Sequence, residues 1–159
     1  MARVRLTVVA VATMIALAGA PACRRAEAVP PPAIQPPAGW QPLAELATAA
    51  SEAAKGEGIV IDSAAAWGDT AMGCYALAIA VRGGSSPETL SKELATGFVG
   101  ASVRDAAIAS DAVTLAFEKG AYRGKLRAKT SDATIEAVAC FWNEREPDAC
   151  ARLCEGMLK

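Results

Sequence analysis

The chain has 159 residues, 53% apolar and 21% charged, with a formal net charge of −1. That balance fits one domain and excludes a disordered acidic or basic tail protein. Ala accounts for 38 residues and aromatics for only 8, and no His occurs, so the core must use small side chains, and Ser-His-Asp or Cys-His nucleophiles, HExxH zinc sites and imidazole switches are all ruled out.

Arg3 and Arg5 precede an apolar run from Leu6 to Ala18, followed by Gly19, Ala20, Pro21, Ala22 and Cys23. This is the layout of a secretory signal peptide, expected over residues 1–22. As a helix the apolar run measures about 20 Å, short of the about 30 Å of a hydrocarbon core, so a retained span is not expected. Ala20-Pro21-Ala22-Cys23 resembles the lipobox of bacterial lipoproteins, with Ala20 where Leu is usual. The resemblance implies that Cys23 carries lipid, palmitate included, and becomes the mature N-terminus. Arg24 in place of Asp points, by the same resemblance, to a protein anchored in the outer membrane and facing the periplasm. In a cell with one membrane the signal would mean its outer face, and a plain secreted protein with a spare Cys is the alternative.

Five of the nine prolines lie between Arg24 and Gln41. Such a segment favours polyproline II, so residues 23–41 are expected to form a stiff tether reaching up to about 50 Å. Residues 42–159 read as one globular domain. Pro42, Leu43, Leu46, Ala47 and Ala50 predict a helix ending near Lys55, with Gly56 and Gly58 beyond it. A strand opens at Ile59–Ile61, and a second runs from Met72 to Val81, with Tyr75, Leu77, Ile79 and Val81 on one face and Cys74, Ala76, Ala78 and Ala80 on the other.

Ser85 and Glu88 form a capping box around Pro87 and open a helix carrying Leu90, Leu94 and Phe98. Alternation then predicts a meander through Val113–Phe117, Tyr122–Ala128 and Ile135–Phe141, turning at Lys119-Gly120 and Ser131-Asp132. Two-residue loops there would set Phe117 opposite Tyr122, Val113 opposite Leu126, Ala128 opposite Ile135, Tyr122 opposite Phe141 and Arg127 opposite Glu136. Pro147 starts a last helix with Cys150, Leu153, Cys154, Met157 and Leu158 on one stripe. The expected fold is α+β: an antiparallel sheet of about five strands packed with helices, α/β/α sandwich-like, with two disulfides. From about Met72 onward this element order, with a helix opening Ser85-Ser86-Pro87-Glu88-Thr89-Leu90, resembles the PsbP-like group of small α/β/α sandwiches, a resemblance that implies no catalysis.

Setting Cys23 aside as a lipid site leaves Cys74, Cys140, Cys150 and Cys154, an even number in an oxidising compartment, and so two disulfides. Cys150 and Cys154 are one helical turn apart, too far for a bond, so each must reach the sheet. Nearness along the chain favours Cys140 with Cys150 and Cys74 with Cys154. A four-cysteine zinc site is the alternative, but only one short Cys-Cys spacing exists; a redox Cys-x-x-Cys is absent.

Arg123, Lys125, Arg127 and Lys129 alternate and so share one strand face. They read either as a docking surface for anions, such as lipid head groups, an envelope polymer or an acidic envelope protein, or as a solvated face partly neutralised by Glu136. Val138, Cys140 and Trp142 fall on the same face, so the last helix is expected to cover one end of it and leave the other open. Near-neutral charge argues against nucleic acid. No paired carboxylates, phosphate loop or nucleophile elbow marks an enzyme, and Asp62, Asp69 and Asp111 carry no such pattern. The expected function is a non-catalytic envelope lipoprotein, a binding or assembly module without cofactor or metal. The alternative is a carrier of an apolar ligand in a cavity lined by Leu77, Ile79, Leu115 and Phe117.

Overall fold

Alternation along Cys74–Arg82 divides large from small: Tyr75, Leu77, Ile79 and Val81 point to one side, Cys74, Ala76, Ala78 and Ala80 to the other, and all are buried. A strand buried on both faces must lie inside a sheet covered twice. The computed structural model describes residues 28–56, 58–97 and 100–159. In chain order it contains β1 Gln41–Pro42, α1 Ala44–Gly56, β2 Ile61–Asp69, β3 Cys74–Arg82, α2 Pro87–Gly97, β4 Ser102–Ile108, β5 Ala112–Lys119, β6 Tyr122–Thr130, β7 Thr134–Trp142 and α3 Pro147–Met157. The strands form one antiparallel sheet in the order β1-β2-β3-β7-β6-β5-β4.

The sheet therefore has seven strands, not the about five expected. The two missed are those whose residues carry no alternation signal. β1 is two residues long, Gln41 and Pro42, paired to Gly68 and Trp67. β4 is an exposed edge strand whose pairing slips between Arg104 and Ala107. Asp105 there has φ 54°, a left-handed conformation that breaks the pleat and hides the strand from a period-two reading.

α1 and α2 pack on the large-residue face, where Leu46, Ala50, Ala54, Leu90 and Leu94 join Leu77, Ile79, Val113, Leu115, Phe117 and Phe141 in one core. α3 packs on the other face, over Cys74, Ala76, Cys140 and Trp142. Phe98 lies outside the described residues. α2 is capped by Ser86, whose Oγ accepts the Thr89 N–H at 3.2 Å, so the cap sits one residue later than Ser85. Ser85 is instead tied to Thr130, whose hydroxyl donates to its carbonyl at 2.6 Å.

The meander keeps the expected faces but shifts register by two residues. Phe117 pairs with Gly124, Val113 with Ala128, Gly124 with Phe141, Ala128 with Ala137, and Lys129 rather than Arg127 with Glu136. Each turn falls one residue later than read: Lys119 pairs with Tyr122, leaving Gly120-Ala121 as the loop, and the Ser131 N–H bonds to the Thr134 carbonyl around Asp132-Ala133. Gly120 has φ 59°, and a glycine at the first central position suits a type II′ hairpin. A shift of two preserves every side-chain direction, so the core is the same.

Gly124 fixes this register, because it lies between Phe117 and Phe141 in the ladder. A Cβ on Gly124 would approach the Cys140 carbonyl oxygen to 2.7 Å and the Phe117 ring more closely still. Gly124→Ala is expected to lower stability by about 1–3 kcal/mol, as overpacking does, and thermal unfolding measures it; an unchanged melting temperature would show that the Phe117 ring moves aside freely.

Candidate functional site

The face beneath α3 gathers the cysteines, the cationic row and the Pro-rich segment. The chain leaves β7 at Trp142 and is pulled sideways: the Asn143 N–H donates to the Gly73 carbonyl at 3.1 Å, and Arg145 Nη1 lies 3.5 Å from the Thr70 carbonyl. That turn carries the start of α3 across to β3, and the helix then runs back over β7 toward β6. The disulfides are accordingly Cys74–Cys150, with Cα atoms 5.6 Å apart, and Cys140–Cys154, with Cα atoms 5.5 Å apart. Each helical cysteine does reach the sheet. The partners are the reverse of the pairing by nearness, because Cys150 meets the strand that is distant in sequence and Cys154 the one that is close.

Trp40 and Trp142 are buried beside the disulfides, with Trp67, Met72, Leu153 and Met157 packed around them. Ile34 joins this cluster, and Ser63 Oγ donates to the Val29 carbonyl at 2.5 Å. The Pro-rich segment from Val29 to Trp40 thus lies across the half of the face that α3 does not reach, over β2 and toward β6 and β7. Val29, Ile34 and Trp40, expected within the tether, are packed on this face. Cys23 and the leader themselves lie outside the described residues.

The four cations of β6 run alongside α3, with Arg123 near its start and Lys125 and Arg127 at its C-terminal end. Arg123 Nε is 3.4 Å from Glu118 Oε1, and Glu118 also pairs with Arg104. Lys125 Nζ is 2.8 Å from Glu155 Oε1 on α3. Arg127 donates to the main-chain oxygens of Leu158 and Lys159, where a cation offsets the negative end of the helix dipole. Lys129 is exposed and is the register partner of Glu136. Between Arg127, Lys129, Glu136, Val138, Leu158 and Pro32 to Ile34 lies an open cleft of about 250 Å³. A second shallow cleft of about 240 Å³ lies at Arg123, Trp142, Asn143, Glu144 and Pro147.

Other sequence candidates have structural partners. Asp62 Oδ2 receives the Arg82 guanidinium at 2.9 and 3.0 Å. Asp69 Oδ1 accepts the Ala71 and Met72 N–H groups and shapes the β2–β3 turn. Leu77, Ile79, Leu115 and Phe117, the lining a carrier would need, are all buried in the main core, and neither cleft touches them. Among the described residues no group of three or more His, Cys, Asp or Glu is placed to hold a metal ion, and no helix is long and apolar enough to cross a membrane. The participation of residues 29–34 in this face had no sequence signal, since proline spacing reports conformation but not where a segment lies.

Comparison with protein-family models, curated proteins and solved structures finds no match.

Two outcomes follow from this geometry. Non-reducing peptide mapping is expected to yield Cys74 linked to Cys150 and Cys140 linked to Cys154. Replacing the first pair by Ala should cost more stability than replacing the second, about 4.5 against about 3 kcal/mol on the chain-entropy account, because their sequence separations are 76 and 14. Equal losses would count against that account. The second outcome concerns Glu155, whose carboxyl is held below its ordinary value by the hydrogen bond from Lys125 and then by its charge. A depressed folded value means the pair contributes above the unfolded carboxylate value and is lost as pH falls through the folded one. Lys125→Gln should raise the Glu155 midpoint toward the ordinary range in a carboxyl NMR titration; an unmoved midpoint would show that the pair is not formed in solution.

Proposed function

We propose that the chain is a lipid-anchored, non-catalytic protein of the bacterial envelope, a binding or assembly module that offers its α3 face to an anionic partner. The observation that carries this reading is the cationic row Arg123, Lys125, Arg127 and Lys129 beside an open cleft, on a face held rigid by two disulfides. Disulfides of this kind belong to an oxidising compartment, which agrees with the signal peptide read in residues 1–22. The Ala20-Pro21-Ala22-Cys23 tract supplies the anchor, and Arg24 favours the outer membrane. The reading of an apolar-ligand carrier is the weaker one, because Leu77, Ile79, Leu115 and Phe117 fill the core rather than line a space.

The anchor is tested by Cys23→Ser in cells. Wild-type protein is expected in the membrane fraction and to incorporate labelled palmitate, and the variant in the soluble fraction without label. Unchanged membrane association of the variant would remove the lipoprotein reading.

A further inference from the structure

Chain length, strap position and charge together say more about the partner. Six peptide units separate Cys23 from Val29, so a lipid on Cys23 can lie at most about 20 Å from Val29. Val29 is held on β2 by Ser63, and the following residues cross to Arg127 and Val138. Neighbouring strands lie about 4.8 Å apart, so the cationic row on β6, three strands from β2, is about 14 Å from the start of the leash. The leash therefore leaves the domain on the face that carries the cations, level with Lys129, which the register aligns with Ser63 through Ala80 and Glu136, while Arg123 at the far end of the row lies beyond its reach.

The two broad faces differ in charge. On the α3 side, strands β4 to β7 present Arg104, Arg123, Lys125, Arg127 and Lys129 against Glu118 and Glu136, with Arg152 and Lys159 exposed nearby and Glu155 paired to Lys125. On the opposite side, α1 and α2 carry Glu45, Glu52, Glu88 and Glu93 against Lys55 and Lys92 among the described residues. Glu144, Glu146 and Asp148 collect at the start of α3, which tilts a contact with an anionic surface toward the β6 end. Anionic lipid attracts each nearby Lys or Arg with about 1 kcal/mol and falls off within a Debye length, so a short leash on the basic side favours one orientation.

We infer that the partner of the α3 face is the anionic lipid surface in which Cys23 is anchored, with the strap, Lys129 and the end of α3 turned to the head groups and α1 and α2 turned away. This inference rests on the lipoprotein reading above and names the partner it leaves open. Of residues 23–41, expected from composition to be a spacer of about 50 Å, only the part before Val29 acts here as the leash, a short mooring.

The experiment uses the lipidated full-length mature protein added to vesicles of phosphatidylcholine, with or without phosphatidylglycerol, and footprinted with a water-soluble amine reagent read by mass spectrometry. On phosphatidylglycerol vesicles at low salt, labelling of Lys129 and Lys159 is expected to fall at least about threefold relative to protein in detergent, and to recover at about 0.5 M salt as the Debye length shortens to a few ångströms. Lys55 and Lys92 are expected to label equally in all conditions. Lys125→Gln with Lys129→Gln, both exposed enough to leave folding intact, should restore labelling of Lys159. If all four lysines label alike on membrane-bound protein, or if Lys55 and Lys92 are the protected pair, the orientation is wrong while the anchor stands. If Cys23→Ser protein remains in the membrane fraction of cells, the anchor fails and the inference goes with it.

Discussion

Alanine along β3 gives the centre of one face of this sheet little area to hold a covering layer by burial, and much of the structure answers that constraint. Ala76, Ala78 and Ala80 on β3 are completely buried, yet each removes little more than a methyl group from water, about 0.8 kcal/mol per carbon against about 1.5–3 for a Leu or Phe. α3 has 11 residues, too short to be stable as a helix by itself. The two disulfides fasten it one turn apart to adjacent strands, fixing both its position and its rotation. Small side chains then become useful, because they let the helix backbone come close enough for bonds whose Cα atoms are 5.5 and 5.6 Å apart.

The opposite face follows the usual route. Tyr75 stacks on Phe141 at 5.5 Å, and Tyr122 meets both edge-on; burial, and next the neighbouring Tyr122, raise the Tyr75 phenol above its ordinary value. Leu and Phe side chains from β3, β5, β6 and β7 supply the area that α1 and α2 cover. The large-residue face needs no covalent fastening, while the alanine face receives α3 by disulfide and the Pro-rich strap by Ser63, Ile34 and Trp40. A proline-rich strap suits the second role because it loses little conformational freedom when it settles on a surface.

What the sequence made legible was side-chain direction. Period-two alternation placed Tyr75, Leu77, Phe117, Leu126 and Phe141 on one face, and a register error of two residues left those assignments intact. Turn position was harder, since Lys119-Gly120 and Gly120-Ala121 both put a glycine in a two-residue loop, and the register that forms is the one that sets Gly124, with no side chain, against the Phe117 ring. The disulfide partners depended on a loop path set by Asn143 bonding to Gly73, a contact between residues far apart in sequence with no motif to announce it. Alternation put the cationic row on one strand face and required the last helix to cover part of it, but it could not report that Glu155 and the main-chain oxygens at the end of α3 would pair with Lys125 and Arg127.

The sheet's edges bear on how a partner can approach. β4 exposes one edge, and it is bent there by Asp105, a feature that discourages strand addition. At the other edge Pro42 cannot donate a ladder hydrogen bond, and the Leu43 N–H is already used by the Ala66 carbonyl. With both edges blunted, contact through backbone pairing is disfavoured at either end. The α3 face remains, where long cationic side chains project from a framework fixed by two disulfides and can meet a charged surface without any change in backbone. Such a contact selects for sign and spacing of charge rather than for sequence, which is the kind of recognition a lipid surface permits.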